Sequence, residues 1–268
     1  MFMYISYKTD LTLLLCFAGI ISLWSLLKSM EALNIVIGKV YPDIFQMFHH
    51  DVVGVTAAQV IEIHPKLYKD ITMATPFITT QRPAHLGYKS TSNYIELIGK
   101  SNSFLYMKIQ RSTGFIDMKT KKGAPVPDEI KAVYDKAKDP AAKPVFIDQP
   151  KAPDNALKYQ MVIENTDADI LYHTNQTSYF RYCFNAAADA CAKNELSNFH
   201  GDFFIYRVSK AGILYKRESH PGDDMEITFW ENEESKLTLH FILKVNDILI
   251  AVVNLTFFPE TIIHSAKL

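Results

Sequence analysis

From residue 156 onward the chain offers one helix and then nothing but strands, and that order restricts its fold more than any other feature. Ala156 to Asn165 (ALKYQMVIEN) alternates as a strand does. Asn175 to Lys193 (NQTSYFRYCFNAAADACAK) then reads as a helix whose second half is built from Ala186, Ala187, Ala188, Ala190 and Ala192. Extended runs follow at Asp202 to Ser209, Gly212 to Arg217, Met225 to Trp230 and Leu237 to Val245. The last is joined through Asn246-Asp247 to Ile248 to Phe258, and such a pair between two β-rich runs is a hairpin signal. A helix with so many small side chains can lie close to a neighbouring backbone, as it must if a sheet curls around it. The expected class is α+β, an antiparallel sheet packed on one main helix. With 268 residues, 48% of them hydrophobic, there is ample material for a core; a formal net charge of -1 leaves no basic excess to hold nucleic acid.

Upstream, Lys119 to Pro153 carries prolines at 125, 127, 140, 144, 150 and 153, the composition of a connector. Within it Asp128 to Lys138 has acids just after Pro127, apolar Ile130, Val133 and Tyr134 at i, i+3 and i+4, and lysines at the end, which predicts a short surface helix. Before the connector, Phe77-Ile78 is followed eleven residues on by Tyr88-Lys89, as Phe204-Ile205 is by Tyr215-Lys216, an offset of 127 in both places. That repetition argues for a duplicated module. Asp51 to His64 (DVVGVTAAQVIEIH) is too β-branched to read as a second central helix, so the first copy reads as degenerate.

Leu11 to Leu27 is seventeen residues without a charge. That approaches the length of a membrane span, about 20 residues, and exceeds the apolar region of a cleaved signal, roughly 7 to 15 residues. The expectation is an uncleaved membrane anchor, with a cleaved signal or a buried core helix as alternatives. Lys8 and the amino terminus nearly balance Lys28 and Lys39, so orientation stays open, with the body expected on the cytosolic side. Cys16, Cys183 and Cys191 cannot make a disulfide framework, which favours reducing surroundings. The expected domains are an N-terminal anchor helix (1–45), a degenerate first module (46–127), a Lys/Pro-rich connector (128–154) and a second module (155–268).

The chemistry-bearing stretch is Asp167-Ala-Asp169-Ile-Leu171-Tyr172-His173-Thr174-Asn175-Gln176-Thr177-Ser-Tyr179, between the strand and the start of the small-residue helix. Asn175, Thr174 or Thr177 can cap that helix, whose first turn would present backbone N–H groups able to polarise a carbonyl oxygen. Asp169 and His173 supply a carboxylate and an imidazole beside it, able to activate water and to shuttle a proton.

At these residues the chain resembles the hotdog-fold thioesterases, most closely the acyl-carrier-protein thioesterase pattern Asp-x-Asp-x-Asn-x-His-Val-Asn-Asn-x-x-Tyr. Asp167, Asp169, His173, Asn175 and Tyr179 match without gaps. Tyr215-Lys-Arg-Glu218-Ser219-His220-Pro221-Gly222-Asp223 is similar to the family's aromatic-x-x-Glu-x-x-x-Gly-Asp, and Gly87-Tyr-Lys89-Ser90 and Phe115-Ile-Asp117-Met-Lys-Thr120-Lys-Lys-Gly-Ala-Pro125-Val-Pro127 to its Gly-x-Lys-Ser and closing segments. The resemblance implies a tandem hotdog, its first copy degenerate, with an antiparallel sheet wrapped around a central helix, dimeric or pairing two copies. It implies hydrolysis of fatty acyl thioesters, with acyl-CoA the expected substrate and an acyl carrier protein thioester the other. Asp169, His173 and Asn175 are the implied catalytic residues, and Thr177, Tyr179 and Tyr172 the expected substrate contacts. Two positions depart: the family's catalytic asparagine is Leu171, which cannot hydrogen-bond, and the second asparagine of its pair is Gln176. The rival reading is therefore a non-catalytic acyl-thioester or lipid-binding module; a hydratase or dehydratase on the same fold is a third.

No cofactor and no metal are expected. His49-His50-Asp51 lacks the HExxH spacing, and His200, His220 and His240 are scattered along the sequence. There is no phosphate-cradling glycine loop and no G-x-S-x-G, which removes nucleotide chemistry and serine hydrolysis. Cys183, without a basic neighbour, is expected to be core rather than nucleophile.

Overall fold

Period-two runs become strands along most of the chain, and the two longest breaks in that pattern become helices. A computed structural model describes residues 6–9, 22–28, 30, 51–70, 76–169 and 171–259. It forms two compact units, Met1–Phe146 and Ile147–Leu268, whose boundary falls inside the proline-rich stretch.

The first unit contains β1 (Ser6–Thr9), β2 (Val52–Ile63), the short helix α1 (Leu67–Asp70), β3 (Phe77–Leu86), β4 (Ser90–Gly99), β5 (Leu105–Asp117) and α2 (Asp128–Ala137). Its strands run antiparallel in the order β1-β3-β4-β5-β2. The β-branched run that could not be a helix is thus a twelve-residue strand, β2. The helix expected at 128–138 forms and folds back on this sheet. Ile130 and Tyr134 pack with Phe115 and Val126, and the Tyr134 hydroxyl donates to Asn93 Oδ1.

The second unit contains β6 (Leu157–Val162), α3 (Ser178–Ala192), β7 (Val208–Tyr215), β8 (Asp224–Glu231), β9 (Thr238–Val245) and β10 (Ile248–Phe257). Its order is β6-β8-β9-β10-β7, antiparallel throughout. Asn246 and Asp247 take φ of 49° and 62°, the two positive values that a tight hairpin with the strands' own twist requires. Ala186, Ala187 and Ala190 on α3 are at most 2% exposed, so the small-residue face is the buried one.

Within each unit the strands follow one rule: counted along the chain, their sheet order is first, third, fourth, fifth, second. That order corrects the residue alignment behind the offset of 127. Phe77-Ile78 opens β3, whose counterpart by order is β8, whereas Phe204-Ile205 lies in a 3-10 turn, Phe203–Ile205. The strand expected at Asp202 to Ser209 gives way to this turn because Asp202 Oδ1 accepts the Phe204 N–H at 2.9 Å. The turn sends Phe203 into ring contacts with Phe184, Phe199, Tyr206 and Phe257.

Most of the expected anchor, residues 11–21, lies outside the described residues. Residues 23–28 are helical, with Leu23, Leu26 and Leu27 at most 7% exposed. Among the described residues no helix is long and apolar enough to cross a membrane.

Candidate active site

The motif folds as a loop that fastens itself before it enters α3. Asp169 N–H donates to the His173 carbonyl at 2.8 Å, and Asp169 Oδ1 accepts the N–H groups of Leu171 (2.8 Å) and His173 (3.1 Å). One aspartate thereby sets the path of Leu171 to His173, including Tyr172 at φ 62°. Leu171 and Tyr172 are 68% and 59% exposed, and the Tyr172 hydroxyl donates to Asn165 Oδ1. The leucine in the family's asparagine position is therefore not core.

Asn175 closes the junction with the helix. Its Oδ1 accepts both the N–H (2.9 Å) and the hydroxyl (2.6 Å) of Thr177, its carbonyl accepts the Ser178 N–H, and the Thr177 carbonyl accepts the Phe180 N–H. Three of the N–H groups at the helix start, those of Thr177, Ser178 and Phe180, are thus bonded within the junction itself. Thr177 and Tyr179 are buried, 5% and 3% exposed, and Tyr179 meets Ser219 Oγ through its hydroxyl at 2.9 Å. Burial raises the Tyr179 phenol above its ordinary pKa, against the opposing hydrogen bond from Ser219.

Asp167 is 4% exposed beneath this loop, paired with the Arg181 guanidinium and accepting the Ser178 hydroxyl at 3.1 Å. Burial, then the Asp167 carboxylate, push the phenol of neighbouring Tyr182 far upward, so it stays protonated. The Cys183 thiol is wholly buried and its pKa is pushed well up by that burial, the reverse of what a nucleophile needs.

A second segment, from the β7–β8 connection, completes the site. Thr174 N–H and Thr174 Oγ both donate to the Ser219 carbonyl, at 2.8 and 3.0 Å. That tie forces the flanking residues together: His173 Nε2 is 3.5 Å from Glu218 Oε2, and the His173 and His220 rings meet edge-on with centroids 5.2 Å apart. His220 N–H is held by Asp223 Oδ2 at 2.8 Å, in a turn completed by Gly222 at φ 90°. Glu218 and His220 belong to the sequence motif but were not among the expected site residues. Their separation from His173 by more than forty positions hid the cluster, and the matching of the two motifs was the only signal for it.

No protein-family model matches the chain, and no curated protein is similar to it. Solved structures are. A 12:0-ACP thioesterase from Umbellularia californica superposes with a TM-score of 0.74 at 11% identity, over 95% of this chain and 97% of that one. An acyl-ACP thioesterase from Bacteroides thetaiotaomicron gives 0.68 at 16% identity, over 94% and 96%. An oleoyl thioesterase from Lactobacillus plantarum gives 0.73 at 15%, over 96% and 97%. At these identities the likeness shows the fold alone: over nearly its whole length this chain has the fold of these solved structures, the hotdog fold.

Proposed function

We propose that this chain hydrolyses fatty acyl thioesters to the free acid and thiol, with acyl-CoA as substrate. The observation that carries the reading is the juxtaposition of His173 Nε2 and Glu218 Oε2, 3.5 Å apart at the entrance to α3, in a chain with the fold of acyl-ACP thioesterases. A carboxylate behind an imidazole fixes its orientation, which suits it to take a proton from water and return it to the leaving thiolate. Asp169 shapes the loop through Oδ1, so any proton it accepts from water goes to Oδ2. The shared strand order of the two units supports a duplicated, tandem origin. Tyr172 remains the residue we assign to substrate contact, by its exposure; Thr177 and Tyr179, expected beside it, are buried, with the Thr177 N–H and hydroxyl held by Asn175.

A second reading has its own support. Leu171 stands in the asparagine position and offers no hydrogen bond, which favours a module that binds acyl thioesters without turning them over. Thiol release from short-, medium- and long-chain acyl-CoAs and from an acyl carrier protein thioester separates the two: hydrolysis supports the first, and binding without thiol release supports the second.

A further inference from the structure

Tyr179 has its hydroxyl committed inside the protein. It is the second residue of α3, 3% exposed, with Oη 2.9 Å from Ser219 Oγ. Ser219 Oγ lies 2.9 Å from Thr174 Oγ, and Thr174 Oγ lies 3.0 Å from the Ser219 carbonyl oxygen. Ser219 and Thr174 are buried as well, so the three hydroxyls answer to one another rather than to solvent.

The order of protons along this row follows from its far end. A carbonyl oxygen only accepts, so the Thr174 hydroxyl donates to Ser219 O, and Thr174 Oγ is left to accept from the Ser219 hydroxyl. Ser219 Oγ, its own proton spent, accepts in turn from Tyr179. The opposite order would leave Ser219 and Thr174 with two oxygens 2.9 Å apart and no proton between them. Tyr179 is therefore a donor that has to keep its proton, and burial, which raises its phenol above the ordinary value, keeps it there.

The row joins three segments. Tyr179 belongs to α3, Ser219 to the β7–β8 connection beside Glu218, and Thr174 to the motif loop beside His173. The Tyr179 ring is held too: it meets the rings of Tyr215 and Tyr182 edge-on, with centroids 5.8 and 6.0 Å away, and the Tyr215 hydroxyl donates to the Gln176 carbonyl at 3.0 Å.

We infer that Tyr179 is a positioning residue for the His173–Glu218 pair, acting through Ser219, and not a contact for the substrate. Ser219 follows Glu218 and Thr174 follows His173, so any slip of Ser219 against the helix passes to both members of the 3.5 Å pair. The helix is the rigid element of the three, and the Tyr179 hydroxyl fastens the other two to it. The inference rests on the thioesterase reading for the reaction it serves, and on the hydrogen bonds alone for the placement.

The test is Tyr179→Phe in the full chain, which removes one hydroxyl and keeps the ring. Tyr134→Phe is the control, because it removes another buried tyrosine hydroxyl, the donor to Asn93 in the first unit. Two quantities are read: steady-state thiol release from acyl-CoA, and the 1H–13C signal of the His173 ring without substrate, assigned by its loss in His173→Ala. Since a misplacement of about 1 Å at a reacting centre can cost roughly 100-fold, Tyr179→Phe is expected to lower kcat about tenfold with KM changed less than about twofold. It is also expected to displace the His173 signal. Tyr134→Phe is expected to keep the wild-type kcat and the wild-type His173 signal, and circular dichroism confirms that each variant folds. A KM that rises several-fold at unchanged kcat would make Tyr179 a substrate contact and overturns the inference. An undisplaced His173 signal in Tyr179→Phe, or an equal loss of kcat in both variants, overturns it as well. Should the wild type release no thiol, the hydrolase reading fails, and the His173 signal alone decides the placement.

Discussion

Thr174 and Ser219 are joined twice through one carbonyl: the Thr174 N–H and hydroxyl both donate to Ser219 O, at 2.8 and 3.0 Å, and their hydroxyls lie 2.9 Å apart. Both are buried, and every residue assigned to the site is next to one of them or on the loop they secure. Thr174→Val keeps the shape and the N–H but removes the hydroxyl. It is expected to cost about 1 kcal/mol in urea unfolding and to lower kcat for thiol release more than it raises KM, because His173 and Glu218 lose their register. Unchanged kcat at reduced stability would show that the tie is structural only.

Asp167 is expected to matter for folding rather than for chemistry. Asp167→Ala strips the buried partner from Arg181 and the acceptor from Ser178. Removing one side of a buried pair costs about 3–5 kcal/mol, and the 29% exposure of the Arg181 side chain places this case at or below the lower end. Chemical denaturation of the variant measures it; a loss well under 1 kcal/mol would mean that the pair does not form.

Alkaline pH is expected to weaken the fold. Tyr134, Tyr179 and Tyr182 all have phenols raised above the ordinary value of 10, with burial the first cause in each case. Above pH 10 the unfolded chain loses these protons while the folded chain keeps them, so stability falls as pH rises toward the folded pKa values. Below pH 10 the same groups contribute no slope. Urea midpoints at intervals from pH 8 to 11 check the sign, and a flat profile across pH 10 to 11 contradicts it.

The apolar N-terminal stretch can be tested through its described end. Leu23 and Leu27 are 3% and 4% exposed, covered by protein as core leucines are. A helix surrounded by lipid needs no such covering. Leu23→Asp with Leu27→Asp is expected to cost several kcal/mol, since each removes buried apolar surface and leaves a carboxylate in its place. If these residues serve only to anchor the chain, the double variant keeps its unfolding midpoint and is merely released from membranes.

Much of the second unit was legible because its signals are local. The Asn246-Asp247 hairpin, the strand pattern after it and the alanine-rich helix need only a few neighbouring residues to declare themselves, and α3 lies within three residues of the expected 175–193. The first unit was less legible. Residue identities at a fixed offset do not mark its repeat, because what the units share is strand order, which leaves no trace at any one spacing. At the site, Asp169 and His173 were visible in one motif. Their closure by Asn175 was not, since whether a backbone N–H is open or spent depends on the turn geometry of the folded loop. Nor was the grouping of His173 with Glu218 and His220, which depends on the Thr174–Ser219 tie between distant segments.

His173 beside Glu218 is the pair on which the proposed thioester hydrolysis depends. Thiol release from a panel of acyl-CoAs by the full chain, compared with His173→Ala and Asp169→Asn, tests it most directly. Turnover by the wild type is expected, falling by about 100-fold or more in His173→Ala, the scale of a lost proton-transfer group. Folded wild type that binds acyl-CoA yet releases no thiol, or a His173→Ala variant as active as wild type, would contradict it.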